Sequence, residues 1–136
     1  MKVGVIGAGH WGANLVRNFA GLGVLAGVAD PREDNRDRAL SEVPGIETFE
    51  DERALLDAGY GAVAIATPAS THFEIARQAL ESGADVFVEK PMTLDPREAR
   101  DLNALALEAD RILMVGHLLL YQPAIAFMAD YLRSGK

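Results

Sequence analysis

Apolar positions along this chain fall into two alternating spacings. Short apolar runs at 2–6, 24–29, 46–49, 62–66, 85–88 and 112–115 read as strands. The run at 46–49 is the weakest; most of the others are continuous, as strands covered on both faces are. Between them the apolar spacing becomes helical. Leu15, Val16 and Phe19 share one face of a first helix. Beyond Thr71, Ile75, Ala76, Ala79 and Leu80 share another, with Thr71 and Glu74 spaced as a capping box and Gly83 where the helix should stop. Asp95 is placed as the N-cap of a helix that opens with Pro96 and Glu98 and turns Leu102, Leu105, Ala106 and Ala109 inward. A last helix spans about 123–132, with a wide apolar face that includes Ala124, Phe127, Met128 and Tyr131. The polar, charged stretch 31–38 is the only linker-like piece. Strand alternating with helix predicts an α/β architecture, a doubly wound parallel sheet of about six strands with helices on both faces.

Composition narrows the classes of function. With 136 residues the chain is the size of one domain, expected over 1–120, with 121–136 a helix leading out of it. Thirteen Lys and Arg against twenty Asp and Glu give a net charge of -7 spread along the length, which argues against nucleic acid as a partner. The absence of cysteine removes disulfides and thiolate metal sites, so no metal is expected and a reducing cytoplasm is the simplest location. The apolar run after Lys2 is short and opens into a glycine loop rather than a cleavage site, unlike a secretory signal. The most apolar stretch, 112–128, contains His117, Gln122 and Pro123, costly in lipid; it reads as a buried strand followed by a helix, with no membrane partner.

The chemistry concentrates where strands end. Gly7, Gly9 and Gly12, in the segment Gly7-Ala8-Gly9-His10-Trp11-Gly12, lie directly between the first strand and the first helix. That context is the one a dinucleotide loop needs: a tight turn at Gly7, close backbone approach at Gly9, close helix–strand packing at Gly12, and a helix N-terminus offering amides to a pyrophosphate. Asp30 ends the second strand, eighteen positions beyond Gly12, where a carboxylate can accept from both hydroxyls of a ribose and repel a 2′-phosphate. NAD is thereby favoured over NADP, although Arg32 could pair with such a phosphate or lie in solvent, and Asp30 could simply cap the helix after Pro31. After the fourth strand, Thr67 could donate to a cofactor oxygen, Pro68 stiffens the loop, and His72 reads either as ligand-facing or as an exposed first-turn histidine. Glu89 and Lys90, followed by Pro91, end the fifth strand on the same rim. Lys90 could hydrogen-bond a substrate hydroxyl and stabilise an alkoxide, or the two could form a surface charge pair. His117, after the sixth strand, could face a ligand or satisfy a turn.

Taken together, these residues resemble the N-terminal half of the Gfo/Idh/MocA family, the glucose-fructose oxidoreductase and inositol dehydrogenase group. The likeness runs through Gly7 to Gly12, Asp30, Thr67-Pro68 with His72, Glu89-Lys90-Pro91, and Gly116-His117 leading to Tyr121-Gln122-Pro123-Ala124. It implies a Rossmann domain and NAD(P)-dependent chemistry at a secondary alcohol of a sugar, cyclitol or sugar nucleotide. Lys90 would lie near both nicotinamide and substrate, with Thr67, Pro68, His72 and Glu89 along the cofactor cleft. Family members usually continue into a second domain on a large, mostly antiparallel sheet that completes the substrate pocket and the homo-oligomer interface, so this chain is expected to be a cofactor domain, inactive alone. The leucine-rich Gly116–Tyr121 stretch, where many members carry an Asn and an Arg-Phe pair, resembles members acting on nucleotide-linked amino sugars. A stand-alone dinucleotide-sensing or regulatory module without catalysis is the alternative, with the apolar face after Pro123 as its partner surface.

Overall fold

A computed structural model describes residues 1–135. Six strands, β1 (Val3–Ile6), β2 (Leu25–Ala29), β3 (Glu47–Phe49), β4 (Ala62–Ile65), β5 (Asp85–Val88) and β6 (Leu113–Val115), form one parallel sheet in the order β3-β2-β1-β4-β5-β6. The order reverses direction between β1 and β4, so the crevice at their carboxyl ends is where this topology places ligands. The helices are α1 (Gly12–Gly21), α2 (Glu33–Glu42), α3 (Glu52–Asp57), α4 (His72–Glu81), α5 (Pro96–Glu108) and α6 (Pro123–Arg133). Successive side chains alternate between two cores. Val5, Val28 and Ala64 pack with Val16 of α1 and Ala39 of α2. Ile6, Val63, Ile65, Val86 and Val88 pack with Leu55, Ile75, Ala79, Leu80 and Leu102 of α3, α4 and α5.

The predicted strands and the α5 boundary agree with the structure to within a residue or so, and Asp95 caps α5 by accepting the Arg97 amide at 2.8 Å. Gly83 adopts φ +85 just past α4, as its placement required. Three local expectations need correction, and one helix was not foreseen. Thr71 and Glu74 form no capping box. The Thr71 hydroxyl lies 2.8 Å from both the Pro68 carbonyl and the Thr67 hydroxyl, and Glu74 instead bonds Arg77 and Gln78. A short 3₁₀ turn over Ala69–Thr71 leads into α4 and carries Thr71 away from the N-cap geometry.

The linker-like stretch 31–38 is mostly helix: α2 begins at Glu33, its acidic first turn favoured by the helix dipole, and buries only Asn35 and Ala39. Short helix α3, capped by Asp51 accepting the Ala54 amide, was not expected at all, since six residues are too few to establish a period. The strand expected to be buried at 112–115 is an edge strand with Met114 and Ile112 exposed, because β6 pairs only with β5.

Candidate functional site

The site is built on the ends of β1, β2, β4 and β5. Gly7 leaves β1 with φ +88, a left-handed turn suited to glycine, and its amide donates to Ala29 while Ala66 donates to Ile6, locking the adjacent strand ends. A Cβ on Gly12 would stand 1.9 Å from the Gly7 carbonyl oxygen, so α1 can pack onto this loop only without a side chain there. At Gly9 the opposite holds: a Cβ would meet nothing within 4 Å, because this face of the loop opens into free space. Among the described residues, the amides of Gly9, His10, Trp11 and Gly12 find no acceptor. Unfilled amides at a helix N-terminus, with room before them, are what a pyrophosphate requires.

Two clefts meet along this loop. The larger, about 540 Å³, is lined by Gly7, Gly9, Asp30, Arg32, Thr67 and Pro68, with Asn35, Glu52 and Ser70. The smaller, about 190 Å³, is lined by Trp11, Thr67, His72, Glu89 and Lys90. Ala66 and Thr67, at the end of β4, are shared. The size and position of the first suit an adenosine moiety, and those of the second a nicotinamide ring. The geometry therefore passes the test a dinucleotide sets: a cradle without side chains between a carboxylate-bearing cleft and a lysine-bearing one.

The electrostatics differ from one end to the other. Asp30 is buried, yet its oxygens accept the Ala8 amide at 2.8 Å, the Arg32 amide at 2.9 Å and the Asn35 side-chain amide at 3.1 Å. Its role as a helix cap is thus partial, since Arg32 occupies the N-cap of α2. Arg36 of α2 donates to the Asp30 carbonyl at 2.7 Å. The Arg32 guanidinium is turned onto Asp34, with bonds of 3.0 and 2.7 Å, and that bond holds the Asp34 carboxyl below the usual carboxylate range. In the smaller cleft the buried Glu89 accepts the Trp11 indole N–H at 2.5 Å, bracing the glycine loop against β5. Gly116 makes room for it, since a Cβ there would lie 3.0 Å from Glu89 Oε2. Lys90 is exposed at the mouth of the cleft.

His72 is not an exposed first-turn residue. It is 1% exposed, with Nδ1 2.8 Å from the Pro91 carbonyl and Nε2 2.9 Å from the Thr67 carbonyl, so its ring spans the loops after β4 and β5. His10 is exposed and borders a separate groove with Asn14, Arg17 and Arg38. His117 is exposed at the end of β6, one strand beyond Lys90. Sequence reasoning missed Asn35, Arg38 and Glu52. For Asn35 a signal existed, because Asn35 and Ala39, four apart, are the two inward positions of an otherwise highly charged helix.

Comparison with known proteins gives the family. Residues 1–117 match a family described as an oxidoreductase family with an NAD-binding Rossmann fold. UDP-N-acetylglucosamine 3-dehydrogenase of Acidithiobacillus ferrooxidans is 38% identical over 94% of this chain and 40% of its own length. Its solved structure superposes with a TM-score of 0.88, at 37% identity over 96% of this chain and 41% of that one. The NAD(+)-dependent scyllo-inositol 2-dehydrogenase of Bacillus subtilis is 33% identical over 93% of this chain and 38% of its own length. A 3-ketoreductase from Actinomadura kijaniata, solved in complex with NADP and TDP-benzene, superposes with a TM-score of 0.90 at 31% identity, over 99% of this chain and 42% of that one. The chain thus spans about two fifths of the length of these relatives. A sheet of this order, a glycine cradle between two clefts and this likeness over most of the chain lead to one assignment: it belongs to the Gfo/Idh/MocA oxidoreductase family, as an NAD(P)-binding Rossmann domain.

Proposed function

We propose that this chain is the cofactor half of an NAD-dependent dehydrogenase acting on a secondary alcohol of a sugar, cyclitol or nucleotide-linked sugar, with nucleotide-linked amino sugars the leading class. The observation that carries the reading is the open, side-chain-free face of Gly9 between a cleft holding Asp30 and a cleft holding Lys90. The amides of Gly9 to Gly12 would hold the pyrophosphate and Asp30 a ribose hydroxyl. A nicotinamide dinucleotide bound there supplies the hydride acceptor or donor. Lys90 would hydrogen-bond the substrate hydroxyl and hold the proton that leaves or returns at that oxygen. Glu89, tied to the Trp11 indole, would keep the rim beside Lys90 in place, and Thr67 and Pro68 would wall both clefts. NAD is preferred because Asp30 is a carboxylate and because Arg32, the nearest candidate partner for a 2′-phosphate, is engaged by Asp34. The leucine-rich stretch at 116–121 and the similarity to a UDP-N-acetylglucosamine dehydrogenase favour the nucleotide-linked substrate class.

In this reading α6 leads into a substrate domain that completes the pocket and a homo-oligomer interface, and the enzyme works in the cytoplasm. The alternative, a dinucleotide-sensing module, draws on the exposed apolar face of α6 as a partner surface. Trp11 is the sole tryptophan and stands on the glycine loop, so its fluorescence reports binding directly. Titration is expected to show NADH binding more tightly than NADPH, and Gly9→Val should lose binding while keeping its melting temperature. Undiminished NADH affinity in that variant would overturn the reading.

A further inference from the structure

Four hydrogen bonds close a ring through one residue of the glycine loop, Ala8. The Ala8 amide donates to Asp30 Oδ2 at 2.8 Å; Asn35 Nδ2 donates to Asp30 Oδ1 at 3.1 Å; an Arg38 guanidinium nitrogen donates to Asn35 Oδ1 at 3.1 Å; and the same nitrogen donates to the Ala8 carbonyl. The ring fixes the Asn35 amide, because turning it over would set oxygen against carboxylate and nitrogen against guanidinium. It also counts the acceptor sites of Asp30. A carboxylate offers about four lone-pair positions. Oδ1 accepts two donors, from Arg32 and Asn35, and Oδ2 accepts one, from Ala8. One position, on Oδ2, remains for a ligand hydroxyl.

We propose that Asn35 and Arg38 are positioning residues that set cofactor choice. They hold the Asp30 carboxylate in one rotamer with a single free acceptor position. They also fasten that position to the peptide before Gly9, so that ribose recognition and pyrophosphate binding act as one rigid unit. The inference rests on the dinucleotide reading above and deepens it. Both residues lie on α2 and act through Asp30 and Ala8. Loss of the Asn35 amide opens a second acceptor position, on Oδ1, and leaves the carboxylate held only by the Ala8 and Arg32 amides, so the ribose hydroxyl of NADH loses its fixed partner. The damage therefore falls on NADH more than on NADPH.

The test compares the wild-type chain with Asn35→Leu, which keeps the branched side-chain shape without its polar atoms, and Arg38→Met, an exposed position where the fold should be kept. Dissociation constants for NADH and NADPH are read from Trp11 fluorescence, and exchange of the Ala8 amide from NMR. For Asn35→Leu, NADH affinity should fall about tenfold, as expected for a lost hydrogen bond to a charged group, with NADPH changed less than about twofold. Ala8 exchange should accelerate in both variants. General destabilisation would weaken both dinucleotides alike and leave their ratio unchanged. A folded variant with an unaltered ratio and unaltered Ala8 exchange overturns the proposal; if Asn35→Leu fails to fold, Arg38→Met decides it by the same two readouts. A wild-type chain that binds neither dinucleotide overturns the functional reading and this proposal with it, whereas selective NADH binding by wild type and variants alike overturns this proposal alone.

Discussion

At the scale of single residues, three glycines of one loop carry different burdens. Gly7 needs its left-handed turn, Gly12 needs the absence of a Cβ against the Gly7 carbonyl, and Gly9 needs nothing from the protein itself. A neighbour made of backbone cannot move aside, so Gly12→Ala should cost roughly 2–3 kcal/mol of stability. Gly9→Ala, facing open space, should change stability by less than about 0.5 kcal/mol. Urea denaturation of the two variants checks this, and equal effects would contradict the geometry. The triplet was legible because its spacing and its strand-to-helix context lie within one short stretch. The working surroundings of Asp30 were not, since Ala8, Asn35 and Arg38 come together only when β1, β2 and α2 pack. His72 illustrates the same point: both of its carbonyl partners belong to loops that meet across β4 and β5.

Among the elements, the strand glycines of β1 and β2 are explained by neighbours from α3 and from the loop before β4. A Cβ on Gly4 would stand 2.6 Å from Leu55 and 2.9 Å from Tyr60, and one on Gly27 2.6 Å from the Tyr60 hydroxyl. Tyr60 therefore packs against the sheet over both glycines and donates to Glu47 of β3 at 3.0 Å. Burial, reinforced by the Glu47 bond and charge, pushes its phenol up to about 12. The folded state thus holds the Tyr60 proton above the pH at which an unfolded tyrosine, near 10, releases it. Its contribution to stability is complete below about pH 10 and is lost as pH rises toward 12. Denaturation midpoints across that window should fall, and should fall less in Tyr60→Phe; parallel curves would refute the assignment. Helices α4 and α5 were readable from their apolar stripes and α5 from its cap. Helix α2 showed only as a helix that Asp30 could cap after Pro31, because its inward face is just Asn35 and Ala39, and α3 was too short to show a period.

For the whole molecule, the apolar surface is unevenly distributed. Leu118, Leu119, Leu120 and Tyr121, followed by Phe127, Met128, Tyr131 and Leu132 of α6, are all at least 47% exposed. Exposed apolar side chains in this number along one stretch of chain are a mark of contact surfaces. This chain by itself should self-associate with rising concentration, and Phe127→Glu with Leu132→Glu should suppress it; sedimentation velocity showing a monomer throughout would argue against the patch as a contact surface. Among the described residues no helix is long and apolar enough to cross a membrane. The sequence by itself determined the alternation of strand and helix, the glycine loop at its strand end and the carboxylate after β2, because each is encoded in local spacing and in residue types with few conformational options. Only the tertiary structure decided that β6 is an edge, that α6 presents its apolar face to solvent, and that Asp30 is enclosed by donors from α2 and the glycine loop. Burial and hydrogen-bond partnership depend on which distant segments pack together, and that is settled by the order in which strands join the sheet.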